Sequence, residues 1–451
     1  METFLMKAVQ FMLALAFLVI IHEFGHYIFS RIFGIRVEKF YMFFDPWFSL
    51  AKWKPKAKPG ADPGKTSWRD TEYGIGWIPL GGYCKISGMI DESLDTAQMA
   101  SEPKPWEFRS KPAWQRLLVM VGGVLFNFIL AVLIYAGIAW HWGTSYVPFD
   151  KATEGFDFVP AAQAVGFRNG DIPLSADGEP LDAADPDYSL RMAQAREVKV
   201  LRNRRDTVSI AIPDKFILSL NEDKGFMYYR LPVWIDRVVV GEPAAKAGLL
   251  EGDHIVAVDT FATPSYTELT AALRATAGRA VPVTVERGGK PMTFTVTPTA
   301  EGKLGFQLRP LTDIYPVVVQ RYGFFGSFPK GWELGTTTLS NYVSSMKLVF
   351  TREGASQVGG FGTIGSLFPA RWDWLSFWEI TAFISLALAF MNLLPIPGLD
   401  GGHIMFLLWE VVTRRKVSEN VLINAQYAGM IFLILLMLYA NANDIFRAFF
   451  K

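Results

Sequence analysis

Phe11-Met-Leu-Ala-Leu-Ala-Phe-Leu-Val-Ile-Ile21 runs straight into His22-Glu23-Phe24-Gly25-His26, so an apolar run ends in three ionisable side chains. The surrounding stretch, Leu5 to Ile32, is long enough to cross a membrane as a helix, for which roughly 20 apolar residues suffice. Helical residues four apart share a face, so the imidazoles of His22 and His26 can bind one metal ion. Glu23 stands beside them, placed to take a proton from a water that the metal activates. The bare HExxH pattern is common in unrelated chains. Here its position decides the reading, because each charged group costs a few kcal/mol inside a spanning helix. A helix end that merely reaches the interface, with Arg31 close by, leaves unexplained why two of the five histidines flank a glutamate.

Outward from that run, the composition sets the class. Of 451 residues, 51% are hydrophobic, 14% aromatic and only 19% charged. The apolar residues concentrate in three further runs, about 114–140, 375–408 and 425–446, which argues for a polytopic membrane protein with a soluble insert. Ala14-Leu15-Ala16 resembles a cleavage signal but lies inside the first apolar run, so that run is read as a span. A net charge of +1 gives no field that favours nucleic acid. The lone Cys84 excludes an internal disulfide framework and a multi-cysteine zinc site, and is expected to be small and buried or interfacial. Arg31, Arg36, Lys39, Lys52, Lys54, Lys56 and Lys58 follow the first span, Lys111 and Arg116 introduce the second, and Arg414, Arg415 and Lys416 separate the last two. These basic flanks put both loops on the cytoplasmic side, and the termini and the insert on the other.

A catalytic zinc site needs a third protein ligand and one open position. In the third apolar run, Asn392-Leu-Leu-Pro-Ile-Pro-Gly-Leu-Asp400-Gly-Gly-His403 interrupts the helix with two prolines and three glycines. Broken backbone at membrane depth survives only where it is buried in protein or lines a cavity. Asp400 is an intramembrane carboxylate and so a functional candidate, and spacing alone leaves His403 in competition with it.

The insert repeats itself. Pro160-Ala-Ala-Gln-Ala-Val-Gly-Phe-Arg-Asn-Gly170-Asp171-Ile172 recurs as Pro243-Ala-Ala-Lys-Ala-Gly-Leu-Leu-Glu-Gly252-Asp253-His254-Ile255. Each copy is followed by two alternating strands, Val198–Leu201 with Val208–Ile212 and Val281–Val285 with Met292–Val296, the latter joined by the turn Arg287-Gly-Gly-Lys290. The motif resembles the helix-and-strand signature of bacterial PDZ domains. Between the second copy and the third span, residues 328–350 read as a surface or connecting helix, ended by the Gly-rich loop Val358–Gly365.

HExxH in a first span with Asn-x-x-Pro-x-x-x-x-Asp-Gly in a later one resembles the paired signature of site-2 proteases, the intramembrane zinc metalloproteases. The topology is similar to that of the gamma-proteobacterial members, and the resemblance covers essentially the whole chain. It implies that Zn²⁺ is held by His22, His26 and Asp400, that Glu23 is the general base, and that Asn392 and Pro395 engage the substrate. Tyr73 to Gly88 looks like the family's membrane-associated β-hairpin or sheet, whose strand edge, around Gly74 and Gly76, would bind an unwound substrate through its backbone. Gly122-Gly123 and Asn127 resemble a Gly-Pro-x-x-x-Asn motif with Gly123 at the proline position, leaving Asn127 as a polar substrate contact near the site.

The fold expected is therefore a polytopic α-helical membrane protein with four transmembrane helices, a membrane-associated β-hairpin or sheet, and two tandem PDZ domains (α+β) between spans two and three. The expected segments are span one 1–32, a cytoplasmic loop 33–113, span two 114–142, PDZ domains 143–220 and 221–310, an amphipathic helical connector 311–374, and spans 375–410 and 422–448. The activity implied is zinc-dependent hydrolysis of peptide bonds within single-span membrane proteins in the bacterial inner membrane. The resemblance implies an anti-sigma factor of envelope stress signalling and signal-peptide remnants as substrates, membrane lipid as a partner, and PDZ grooves that contact protein C-termini or periplasmic factors. A PDZ scaffold with a degenerate motif is opposed by the intact histidine–glutamate set. A metal transporter is opposed by ligands that converge rather than line a path.

Overall fold

The computed structural model describes residues 2–56, 66–89, 102–185, 187–214, 216–219, 226–349 and 359–450. Lys58 of the first basic flank, parts of the 33–113 loop, residues 220–225 at the expected boundary in the insert, residue 350 and Val358 lie outside them. The chain divides into two units, Met1–Gly143 with Arg321–Lys451, and Thr144–Gln320.

The first unit contains α1 (Glu2–Ile32), α2 (Ala113–His141), α3 (Phe324–Val349), α4 (Phe361–Ser366), α5 (Trp374–Leu393), α6 (Asp400–Thr413) and α7 (Glu419–Phe450). Among the described residues, four helices are long and apolar enough to cross a membrane, and they lie in α1, α2, α5 and α7. At 1.5 Å per residue, α1 extends about 46 Å, well beyond a hydrocarbon core of roughly 30 Å. α1 and α2 cross backbone to backbone: a Cβ on Gly25 would lie 2.2 Å from the Gly122 carbonyl oxygen, and one on Gly122 2.6 Å from that of Gly25. Small residues at such a crossing let lipid-embedded helices approach closely, which matters where burial from water offers no drive. The segment 328–349, expected to be a surface or connecting helix, belongs to α3, which packs along α2. The third apolar run, 375–410, is two helices. Pro395 and Pro397 cannot continue α5, Gly398 takes φ +96°, and α6 restarts at Asp400.

The loop after α1 forms a sheet of β1 (Val37–Phe44), β2 (Ala51–Trp53), β3 (Glu72–Ile75) and β4 (Ile78–Ile86), ordered β2–β3–β1–β4. β1 runs parallel to β3 and antiparallel to β4. Tyr73 to Gly88 is therefore a sheet contribution and not a hairpin, because β3 and β4 lie on opposite sides of β1. The chain crosses the end of β1 at Gly76 and Trp77, whose N–H groups donate to the carbonyls of Met42 (2.8 Å) and Phe44 (3.0 Å). A Cβ at Gly76 would lie 2.2 Å from the Phe44 carbonyl oxygen, so the crossing requires glycine. A two-residue link between alternating strands reads as a hairpin in sequence, and only the non-local pairing with β1 overrides it.

The second unit repeats one topology. Strands 172–176, 179–180, 197–202 and 206–211 form a sheet, as do 254–258, 261–262, 281–287 and 290–296, with corresponding strands in the same order. In each copy the opening strand pairs with the closing one, Phe156–Phe158 with Met227–Tyr229 and Ile235–Val238 with Phe306–Leu308. Each has its own apolar core, one around Phe156, Phe167, Val198 and Phe226, the other around Ile235, Ile255, Leu269 and Val283. The expected boundary at 220/221 falls early, since Phe226 and strand 227–229 complete the first copy, and Tyr315 also joins its core. That closing strand pairs with residues some 70 positions back, which no local periodicity records. The Gly-Asp motifs do the same work twice. Asp171 accepts from Arg202 Nε (2.9 Å), Arg202 Nη2 (2.7 Å) and Arg168 N–H (2.9 Å), and Asp253 from Arg287 Nε (2.6 Å), Arg287 Nη2 (2.8 Å) and Leu250 N–H (2.9 Å).

Candidate metal centre

The centre is assembled from α1, α2 and the first turn of α6. His22 and His26 project from one face of α1, and Asp400 opens α6, where the positive end of the helix favours a carboxylate. His22 Nε2 lies 3.3 Å from His26 Nε2, and Asp400 Oδ2 lies 3.2 Å from the former and 3.3 Å from the latter. Asp400 Oδ2 is buried and makes no hydrogen bond, although two ring nitrogens face it. Three lone-pair donors at these spacings form a nearly equilateral triangle. Ligands about 2.0–2.1 Å from a tetrahedral zinc would stand about 3.3–3.4 Å apart, so the triangle fits one face of that tetrahedron and leaves the fourth corner open. Among the described residues this is the group able to hold a metal, and His403, one turn further along α6, is outside it.

α2 completes the setting. His26 Nδ1 lies 2.9 Å from the Val119 carbonyl oxygen, which can only accept, so Nδ1 carries the proton and Nε2 keeps its lone pair for a cation. Gly123 sits between the rings: a Cβ there would lie 2.5 Å from His26 Nε2 and 2.6 Å from His22 Cε1. Gly123, where the resembling motif carries proline, thus makes room for both imidazoles. Asn127 is fully buried with its side-chain nitrogen 3.3 Å from His22 Nδ1, so it faces the ring of a candidate ligand.

The Glu23 carboxylate lies within electrostatic reach of His22, His26 and Asp400 and accepts a hydrogen bond from the backbone N–H of Cys84 on β4. β4 is an edge strand of the sheet, and Cys84 is buried there. Gly74 and Gly76 stand elsewhere. Gly74 is on β3, paired on both sides, with the Tyr41 ring where its Cβ would be, and Gly76 is at the strand crossing. Neither is on an open edge of the sheet; the open edge beside Glu23 belongs to β4. Tyr83 on β4 donates to Asp45 Oδ1 (2.7 Å), and burial together with this bond raises its pKa, keeping the phenol neutral.

Asn392, half-buried, lies in the last turn of α5, and Pro395 is exposed in the loop that leads to Asp400. That loop is braced from α7, which by sequence reads only as a span. The Gly398 N–H donates to Gln426 Oε1 (3.3 Å), and a Cβ on Gly429 would lie 1.6 Å from the Pro397 carbonyl oxygen. A buried glutamine inside an apolar run was the available signal. The Val119 carbonyl and the Cys84 N–H are backbone groups, which sequence cannot flag.

Comparison with known proteins extends over nearly the whole chain. A family model described as peptidase family M50 matches residues 10–436. A Neisseria meningitidis protein named as a zinc metalloprotease is 29% identical over 473 residues, covering 97% of this chain and 98% of that protein. The regulator of sigma-E protease RseP of Escherichia coli is 30% identical over 488 residues, covering 99% and 100%. Protease RseP of Yersinia pestis is 30% identical over 481 residues with the same coverage.

Proposed function

This chain belongs to peptidase family M50, the site-2 proteases, and is a zinc-dependent metalloprotease of the membrane; on that premise we propose that it cuts peptide bonds inside the transmembrane segments of single-span proteins. His22, His26 and Asp400 would hold the zinc, and the 3.2–3.3 Å triangle of their ligand atoms is the observation that carries this reading. When bound, zinc supplies Lewis acidity, acidifying water and polarising the scissile carbonyl. Glu23 takes the proton from the attacking water and delivers it to the leaving amine nitrogen, its carboxylate held by the Cys84 N–H. Peptide bonds in an intact helix are shielded by their own hydrogen bonds, so a substrate must unwind locally. The open edge of β4 offers backbone groups to such an extended segment, and Asn392 and Pro395 engage the same substrate.

The repeat domains are PDZ modules, periplasmic as the basic flanks imply, with the metal centre towards the cytoplasmic side of the inner membrane. They act as a size filter or tail reader for what approaches. RseP relatives are named as regulators of sigma-E, and by analogy the substrates here are an anti-sigma factor already trimmed outside the membrane and signal-peptide remnants. The decisive experiment follows cleavage of a model single-span substrate in detergent by wild type and by Glu23→Gln. A drop of at least about 10²-fold with zinc retained is expected. Equal rates would overturn the mechanism.

A further inference from the structure

Asn127 has two features that its position alone does not explain. Its side-chain oxygen is buried and has no hydrogen-bond partner, while its nitrogen lies 3.3 Å from His22 Nδ1. Its backbone carbonyl accepts from Ser385 Oγ (2.7 Å), which fixes that part of α2 against α5. The two ends of a carboxamide have nearly the same shape, and a half-turn about the Cβ–Cγ bond exchanges them without moving the backbone.

His22 Nε2 is the nitrogen that faces Asp400 and His26. A neutral imidazole that keeps its Nε2 lone pair for a cation carries its proton on Nδ1, and that N–H requires an acceptor. For His26 the acceptor is the Val119 carbonyl, a backbone atom. For His22 the group within reach is the Asn127 amide, which owns an unused oxygen. One half-turn satisfies both the ring N–H and the orphaned oxygen. We propose that Asn127 is a positioning residue whose amide oxygen accepts the His22 Nδ1–H, fixing the tautomer and ring orientation that present Nε2 to the metal.

This inference rests on the reading of His22, His26 and Asp400 as the zinc site, and the test separates the two. Full-length Asn127→Asp, Asn127→Leu and Asn127→Ala proteins are purified in detergent with Asp400→Ala as reference. Zinc affinity is measured by chelator competition, and the ligand field is read from the visible absorption of the cobalt-substituted protein. Asp keeps an oxygen acceptor and should stay within a few-fold of wild type. Leu, which matches the shape, and Ala, should each lose about 10- to 100-fold in affinity and shift the cobalt bands. If Leu does not fold, Ala against Asp gives the same comparison. Wild-type affinity and an unshifted spectrum in a folded Leu or Ala protein would overturn the proposal, as would a loss in Asp equal to that in Leu. If Asp400→Ala itself held zinc like wild type, the metal reading would have failed first.

Discussion

At residue scale, the centre depends as much on atoms that are missing as on those present. Gly123 leaves the space that both imidazole rings occupy, so Gly123→Ala would put a methyl group within 2.5–2.6 Å of ring atoms. The rings must separate, and zinc affinity by chelator competition should fall roughly tenfold or more. Asp400 and His403 divide in the same way: Asp400→Ala should empty the site in metal analysis and His403→Ala should not, and zinc loss only in the latter would reverse the choice of third ligand. In the repeat domains, burial alone would raise the pKa of Asp253, but the Arg287 guanidinium and the Leu250 N–H outweigh it and hold the carboxyl below its ordinary value. A depressed folded pKa contributes stability above the unfolded value of about 3.9, and loses it as pH falls through the folded one. Urea midpoints of the 144–320 fragment should therefore drop steeply below about pH 4, and Arg287→Leu should flatten that part of the profile.

At the scale of elements, the sheet after α1 carries more than its length suggests. β4 supplies the N–H that holds Glu23, and β4 reaches that place only because the chain steps over β1 at Gly76. Gly76→Val should block the step and misplace Glu23, the proposed base. Cleavage should fall by about 10²-fold, as small displacements of catalytic groups do, with zinc content unchanged. Metal analysis beside a cleavage assay checks both halves. This element also marks where sequence reading ends. The apolar runs identify α1, α2, α5 and α7 because membrane length is written locally, and the two prolines of the broken third run foretell the α5–α6 break. The duplicated Gly-Asp motif identifies two similar domains, since each aspartate serves a local loop and one arginine. Strand order around β1 and the return of strand 227–229 depend on pairing between distant residues, which hydrophobic periodicity does not encode. The partners of His26 and Glu23 are main-chain atoms, identical at every position of the sequence.

At the scale of the whole molecule, the basic loops and the repeat domains belong to opposite sides of the membrane in the proposed topology. Cys84 is the single cysteine, so a Cys84→Ser background allows a direct check. A cysteine replacing Leu250, exposed in the second repeat, should react with an impermeant maleimide in intact spheroplasts, and one replacing Arg415 only after lysis. The reverse pattern would invert the topology. The metal triangle itself spans almost the entire chain, with His22 and His26 near the start and Asp400 about 370 residues later. At roughly 5–20 residues per second of synthesis, the ribosome needs on the order of 20–75 s to bring the third corner to the first two. The brace from Gln426 and Gly429 arrives later still. On the proposed reading, a growing or prematurely terminated chain would carry His22, Glu23 and His26 with no complete centre, and would stay inert towards neighbouring nascent proteins until its own translation is nearly finished.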